Sequence, residues 1–244
     1  MAQSRYTYRR SFFTNNFTTG VKWLLIINTA CFILKELLSP RFANDIGLLA
    51  LVPVTVVYHY TVWQLVTYLF LHKDVWHLVW NMLALWMFGT PLERDWGTRR
   101  FLKYYFICGI GAGVCDVLLN AAIGNWGGAT IGASGAIYGL LLAFGVCYPE
   151  QIVLMFLLFP MKAKYFVMIF AAIELWMSMS VNSGVSNIAH LGGMAVGFVY
   201  LKSRLRMRLK LPDWRGAYRQ WKLERAKRKF QVYLKKHDRG PWVN

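Results

Sequence analysis

Three short stretches of this chain hold residues whose types and spacing allow chemistry. In IGASGAIYG, residues 131–139, Ser134 stands between Gly132 and Gly135. In HKDVWHLVWN, His77 and Asn81 are four residues apart and share one face of a helix. In SNIAHLGGMAVG, His190 precedes a pair of glycines. A serine becomes a strong nucleophile beside a base such as imidazole. Each residue also has an ordinary use in an apolar chain: serine lets helices approach closely, and histidine or asparagine bonds across a helix interface. Which use applies depends on the elements that carry them.

Those elements belong in a membrane. Of the 244 residues, 57% are hydrophobic and 16% charged, whereas a soluble domain carries about a quarter charged residues. A bilayer core of ~30 Å takes about twenty mostly apolar helical residues. Six segments of that kind recur, at about 21–38, 76–90, 101–122, 134–148, 163–181 and 187–201. The apolar stretches 46–57 and 152–159 are too short to cross and contain or abut proline, which reads as interfacial or re-entrant structure. The expected fold is therefore all-α and polytopic.

Basic residues orient the bundle, because cytoplasmic loops are enriched in Lys and Arg. With the N-terminus inside, the inner segments hold Arg5, Arg9, Arg10 and Lys22, then Arg94, Arg99, Arg100 and Lys103, then Lys162 and Lys164, then the basic tail. Lys35, Arg41 and Lys73 are the remainder of the 28 basic residues, and the outer loops 122–133 and 182–186 carry no charge. Six spans with both termini cytoplasmic fit this pattern. The expected parts are an N-terminal segment 1–20, a membrane domain 21–203 and a basic tail 204–244.

In that topology the reactive residues meet at one level. The fourth span has about fifteen residues, ~22 Å at 1.5 Å per residue, so Ser134 at its outer start lies below the membrane surface. The glycine-rich approach NWGGATIGAS is non-helical backbone at membrane depth, tolerated where protein buries it or a watery cavity receives it. His77 and Asn81 begin the second span and His190 the sixth, all at the outer end. Ionisable groups at such depth are expensive and point to function. Gly135 and Gly139 on the fourth span and Gly193 and Gly197 on the sixth form GxxxG pairs that bring the two backbones together. Gly109 and Gly113 on the third span form another, read as packing.

Other signals exclude alternatives. Cys31, Cys108, Cys115 and Cys147 fall within spans without CxxC pairing, so neither a disulfide framework nor a zinc knuckle is expected. HKDVWH is not HExxH and lacks the glutamate that activates a zinc-bound water. Haem ligation between helices needs axial pairs and gives the serine no purpose. No metal, cofactor or nucleotide motif is present. The arginines before the first span are not followed by a cleavage pattern, so that helix is expected to be retained. The net charge of +17 resides largely in the tail. There Trp214, Tyr218, Trp221 and Arg225 recur at helical spacing and suit anionic lipid headgroups rather than nucleic acid; a solvated tail with no specific role explains the same residues.

Taken together, GASGAIYG with Ser134, AHLGGMAVG with His190, HKDVWHLVWNM with His77 and Asn81, and FGTPLERDWG at 88–97 resemble the rhomboid intramembrane serine proteases. The resemblance covers about residues 20–203, with Tyr68 standing where some members have a further histidine. It implies a six-helix bundle that hydrolyses transmembrane protein substrates near the outer membrane face through a Ser-His dyad. Ser134 would be the nucleophile and His190 the base. Tyr138 would orient the His190 ring. His77, Asn81 and the Ser134 backbone N–H would stabilise the oxyanion. His72 is left without a catalytic role. A transporter or a proteolytically dead relative uses the same scaffold, but a dead relative is expected to lack the serine or the histidine. The basic topology suggests a bacterial inner membrane. Because a dyad needs no acid, Asp116 and Glu174 are expected to be structural, hydrogen-bonded between helices.

Overall fold

The structure, a computed structural model, describes residues 17–155, 159–178, 186–204 and 214–237. Residues 1–16 of the expected N-terminal segment, the end of the expected fifth span at 179–181, most of the expected outer loop at 182–186, and tail residues 205–213 and 238–244 lie outside them.

Helices stand at all six positions expected for spans: α1 (Thr19–Ile46), α4 (Val75–Ala84), α6 (Thr98–Ala122), α7 (Ser134–Cys147), α8 (Ala163–Ser178) and α9 (Ser186–Arg204). Between the first two lie the short helices α2 (Pro53–Tyr58) and α3 (Gln64–Thr67). The helical stretch at the second of these positions is longer than the expected 76–90. After α4 the chain makes a π turn over Leu85–Gly89 and continues as α5 (Thr90–Trp96). Pro91 has no N–H for the helical ladder and its ring would strike the carbonyl of Met87, four residues back, so the wider turn falls where the α geometry fails. Gly97 ends α5 at φ 77°, a left-handed conformation that suits glycine.

By length and hydropathy, α6 is the one helix among the described residues that is long and apolar enough to cross a membrane by itself. The helix α7 lies inside the bundle, whereas α1, α4, α8 and α9 expose large apolar side chains. Trp23 and Leu37 on α1, Trp76 on α4, Trp176 on α8 and Val199 on α9 are all exposed, a pattern suited to hydrocarbon surroundings and costly in water.

The fold is mostly helical, consistent with the all-α expectation, and carries one short strand pair. Ile152–Met155 (β1) and Phe159–Lys162 (β2) pair as an antiparallel hairpin. The apolar run 152–159, read as interfacial, holds too few residues for a span; residues 156–158 lie outside the described residues, and those described, 152–155 and 159, satisfy their backbone by strand pairing. Glu150 closes the base of the hairpin, 2.7 Å from Lys162 and 2.5 Å from Lys164. These two ammonium groups hold its carboxyl down to about 2.

The core is where α6, α7 and α9 meet, and glycines set its spacing. A Cβ on Gly193 would collide with the carbonyl of Gly135, and one on Gly139 would come within 2.5 Å of Cys108. Gly193 thus meets the α7 backbone directly, while Gly135, Gly139 and Gly197 leave room for Ala112, Cys108 and Tyr104 of α6. Gly109 and Gly113 serve a different surface: their missing side chains leave room for Leu69 and for Leu51, Leu65 and Tyr68 of the segment between α1 and α4. The four cysteines are free thiols.

A buried carboxylate fastens the start of α1. Glu93 of α5 accepts from the backbone N–H groups of Gly20 and Val21 at 2.7 and 2.8 Å, and from the hydroxyls of Thr18 and Thr98 at 2.5 and 2.6 Å. It thus neutralises the orphan donors at the N-terminus of α1 and ties that end to the start of α6.

The chain divides into two compact units, Met1–Arg206 and Met207–Asn244. Within the second, α10 (Trp214–His237) is a single helix. Tyr218 stacks on Trp221, and Arg225 lies 5.2 Å from the centre of the Trp221 ring.

Candidate active site

Ser134 is the first residue of α7, and the loop before it is pinned at three points. Leu51 and Thr130 exchange backbone hydrogen bonds of 3.0 and 2.8 Å, and the Gly132 N–H donates to the Tyr68 carbonyl at 2.9 Å. The Thr130 hydroxyl donates to Asp116 at 3.0 Å. Asp116 therefore holds the approach loop and does not reach the histidine. Tyr68, almost wholly buried, donates its hydroxyl to the Gly109 carbonyl at 2.7 Å, linking the same loop to α6.

Across the α7–α9 contact, His190 Nε2 lies 2.7 Å from Ser134 Oγ. Tyr138, one turn after the serine, stacks on the His190 ring with centroids 4.2 Å apart and an interplanar angle of 14°. The glycine contacts explain this approach: a side chain at Gly193 would push α9 off the Gly135 carbonyl of α7, and one at Gly135 would push α7 off Ala112 of α6.

The other imidazole nitrogen has a partner that the sequence does not announce. Glu174 Oε2, from α8, lies 3.0 Å from His190 Nδ1, and the Tyr138 hydroxyl donates to Glu174 Oε1. Glu174, expected as a structural acid hydrogen-bonded between helices, bonds to Tyr138 of α7 and in addition meets the His190 ring. The Nδ1 and Oε2 atoms are in contact but do not meet directional hydrogen-bond geometry, a looseness common in catalytic pairs before substrate binds.

His77 and Asn81 rise from α4 on the facing wall. Asp74 caps that helix by accepting from the His77 backbone N–H at 2.8 Å. The Lys73 N–H donates to His77 Nδ1 at 3.3 Å, which leaves the ring proton on Nε2. That Nε2 looks toward the serine: a Cβ built on Gly132 would lie 2.8 Å from it and 3.7 Å from Ser134 Oγ. Gly132 adopts φ 124°, a second reason for glycine there. The Asn81 amide gives one N–H to the His77 carbonyl at 3.0 Å and keeps another.

Ser134, His190, Tyr138, His77 and Asn81 all line one cavity of about 470 Å³, walled otherwise by apolar side chains such as Trp80, Phe166 and Phe170. His72 is fully buried beside it, edge-on to His77 at 5.1 Å, with no hydrogen bond at either ring nitrogen. Its backbone carbonyl accepts from Lys35 of α1 at 2.7 Å. Sequence reasoning gave Lys35, Tyr68 and Glu174 no place at the site: Lys35 counted only as a basic residue, Tyr68 as a departure from the family pattern and Glu174 as a structural acid. For Glu174 the available signal was an acid in the middle of an apolar helix.

The sequence has counterparts among known proteins. The profile of the Rhomboid domain matches residues 59–206. RHOMBOID-like protein 1 of Arabidopsis thaliana is 33% identical over 144 residues, 59% of this chain and 35% of that protein. Rhomboid protein 1, mitochondrial, of Saccharomyces cerevisiae is 33% identical over 138 residues, 54% of this chain and 38% of that protein. Rhomboid protease GluP of Bacillus subtilis is 30% identical over 142 residues, 56% of this chain and 25% of that protein. The matched region thus spans well under half the length of each of these relatives.

Proposed function

Proceeding from the rhomboid family, to which this chain belongs and whose members are integral membrane proteins, we propose that it is an intramembrane serine endopeptidase that cleaves transmembrane protein substrates near the outer membrane face. The observation that carries this reading is the 2.7 Å approach of Ser134 Oγ to His190 Nε2 at the wall of a cavity. A relative named as a protease, from Bacillus subtilis, supports it.

In this mechanism Ser134 Oγ attacks the scissile carbonyl carbon while its proton passes to His190 Nε2. Negative charge develops on the carbonyl oxygen. His77 Nε2–H, the free Asn81 N–H and the Ser134 backbone N–H, at the N-terminus of α7, surround it. Collapse of the intermediate breaks the C–N bond, and His190 returns the proton to the leaving amine. Water then repeats the sequence on the acyl-enzyme. Stacking on Tyr138 keeps the ring facing the serine throughout.

The topology proposed with this chemistry has six spans, both termini in the cytoplasm and the dyad open to the outer face of a bacterial inner membrane. Residues 21–203 form the catalytic domain, and the basic tail 204–244 rests on anionic lipid through the aromatic and basic side chains of α10. The relatives include mitochondrial as well as bacterial proteins, so the membrane itself is part of the proposal.

The test is cleavage of a single-span substrate by the purified protein in liposomes, wild type against Ser134→Ala. Loss of at least about 10³-fold in turnover is expected from removing the nucleophile. Undiminished cleavage by the variant would remove the proposal.

A further inference from the structure

The geometry points to Glu174 as a positioning residue that turns the Ser134–His190 pair into a three-member Ser-His-Glu relay. This inference rests on the protease reading of the same site, and extends it by a residue that the family resemblance does not supply.

The argument begins with burial. Glu174 is 6% exposed, and a carboxylate in such surroundings needs donors for its oxygens. Two groups are within reach. Oε1 accepts from the Tyr138 hydroxyl, and Oε2 faces His190 Nδ1 at 3.0 Å. Were Nδ1 unprotonated, two lone pairs would oppose each other across that distance. The carboxylate therefore selects the tautomer with hydrogen on Nδ1, and Nε2 is left as the acceptor for the Ser134 proton.

Geometry adds a second role. Stacking on Tyr138 fixes the plane of the imidazole, while Glu174 fixes its rotation within that plane. Tyr138 serves both purposes, since its ring carries the stack and its hydroxyl orients the carboxylate. Three helices, α7, α8 and α9, thus each contribute a group to one array. When Ser134 attacks, its proton moves to Nε2 and the Nδ1 proton stays on the imidazolium, whose charge the ionised Glu174 offsets. No proton passes to the carboxylate. A rotation of the ring or carboxylate into line would convert the present contact into a directed hydrogen bond when substrate fills the cavity.

A purely structural acid bridging Tyr138 to α8 would affect folding and leave the histidine tautomer alone. The experiment separates the two. Wild type, Glu174→Gln, Glu174→Asp and Tyr138→Phe are purified in liposomes, and kcat and KM are measured on a single-span substrate, with Ser134→Ala as the blank. Glu174→Gln is expected to lower kcat by about 10²- to 10⁴-fold, as loss of the acid does in serine-protease triads, with KM changed by less than about threefold. Glu174→Asp should recover part of the loss, and Tyr138→Phe, which keeps the stack, should cost less than about tenfold.

In parallel, 15N spectra of labelled protein, with the His190 signals identified by their loss in His190→Gln, report where the ring proton sits. Wild type should show it on Nδ1 and Glu174→Gln should not. A Glu174→Gln protein with kcat within tenfold of wild type and an unchanged tautomer overturns the relay while leaving the protease reading intact. Conversely, a Glu174-dependent Nδ1 proton in a wild type that cleaves nothing supports the relay geometry and removes the protease reading. If Glu174→Gln does not fold, the wild-type spectrum decides: a proton on Nε2 overturns the inference.

Discussion

Two buried glutamates, Glu93 and Glu174, sit in the same helical bundle and differ in how they are satisfied. Glu93 is 2% exposed and takes four donors, two backbone N–H groups and two hydroxyls, from the start of α1 and the start of α6. Each of its partners holds a fixed proton, so the cluster has one arrangement. Glu174 has one hydroxyl and one imidazole, and the imidazole borders a cavity and touches a serine. A saturated carboxylate fastens a fold, whereas a carboxylate whose partner can change charge can follow a reaction.

The comparison breaks if variants at the two ends behave alike. The largest effect is expected on the catalytic side. His77→Ala or Asn81→Ala should lower turnover by about 10²- to 10³-fold, the usual cost of one oxyanion donor. Their thermal midpoints should stay near that of wild type. Turnover assays on the folded, size-selected protein check this, and normal rates in both variants would reassign the pair to helix packing.

At the other end the expected signature is reversed and smaller. Glu93→Ala leaves the Gly20 and Val21 N–H groups buried without an acceptor, at about 1–3 kcal/mol for each unsatisfied group. Its unfolding midpoint in detergent should fall, while kcat per folded molecule stays within about threefold of wild type. A well-folded Glu93→Ala protein with a collapsed kcat would show that the fastening and the active site are one unit.

How much of this could be read in advance depends on whether the information was local. Helices at 21–38, 101–122, 134–148 and 187–201 follow from apolar runs, and they put Ser134 at the start of α7 and His190 near the start of α9. The Gly135, Gly139, Gly193 and Gly197 spacing indicates which two helices come close, because only small residues permit it. The hairpin at 152–162 was not legible, since a short apolar run next to proline reads equally as interfacial structure. Continuation of the second helix past Gly89 was hidden by Pro91, which ordinarily ends a helix and here follows a π turn. Glu174 was visible as an acid in an apolar helix, but its partner depends on how α8 is rotated against α7 and α9. That rotation is set by packing across the bundle, not by any motif on α8. The same holds for Glu93, whose four donors come from segments 70 or more residues away on one side and five away on the other.

Whether Ser134 is a nucleophile activated by His190 is tested most directly by covalent capture. The purified protein is treated with a fluorophosphonate, which phosphonylates an activated serine with loss of fluoride, and the modified peptide is mapped by mass spectrometry. The account predicts one adduct, on Ser134, that disappears in His190→Ala. Absence of any adduct on the folded wild type, or labelling of Ser134 at the same rate without His190, would contradict it.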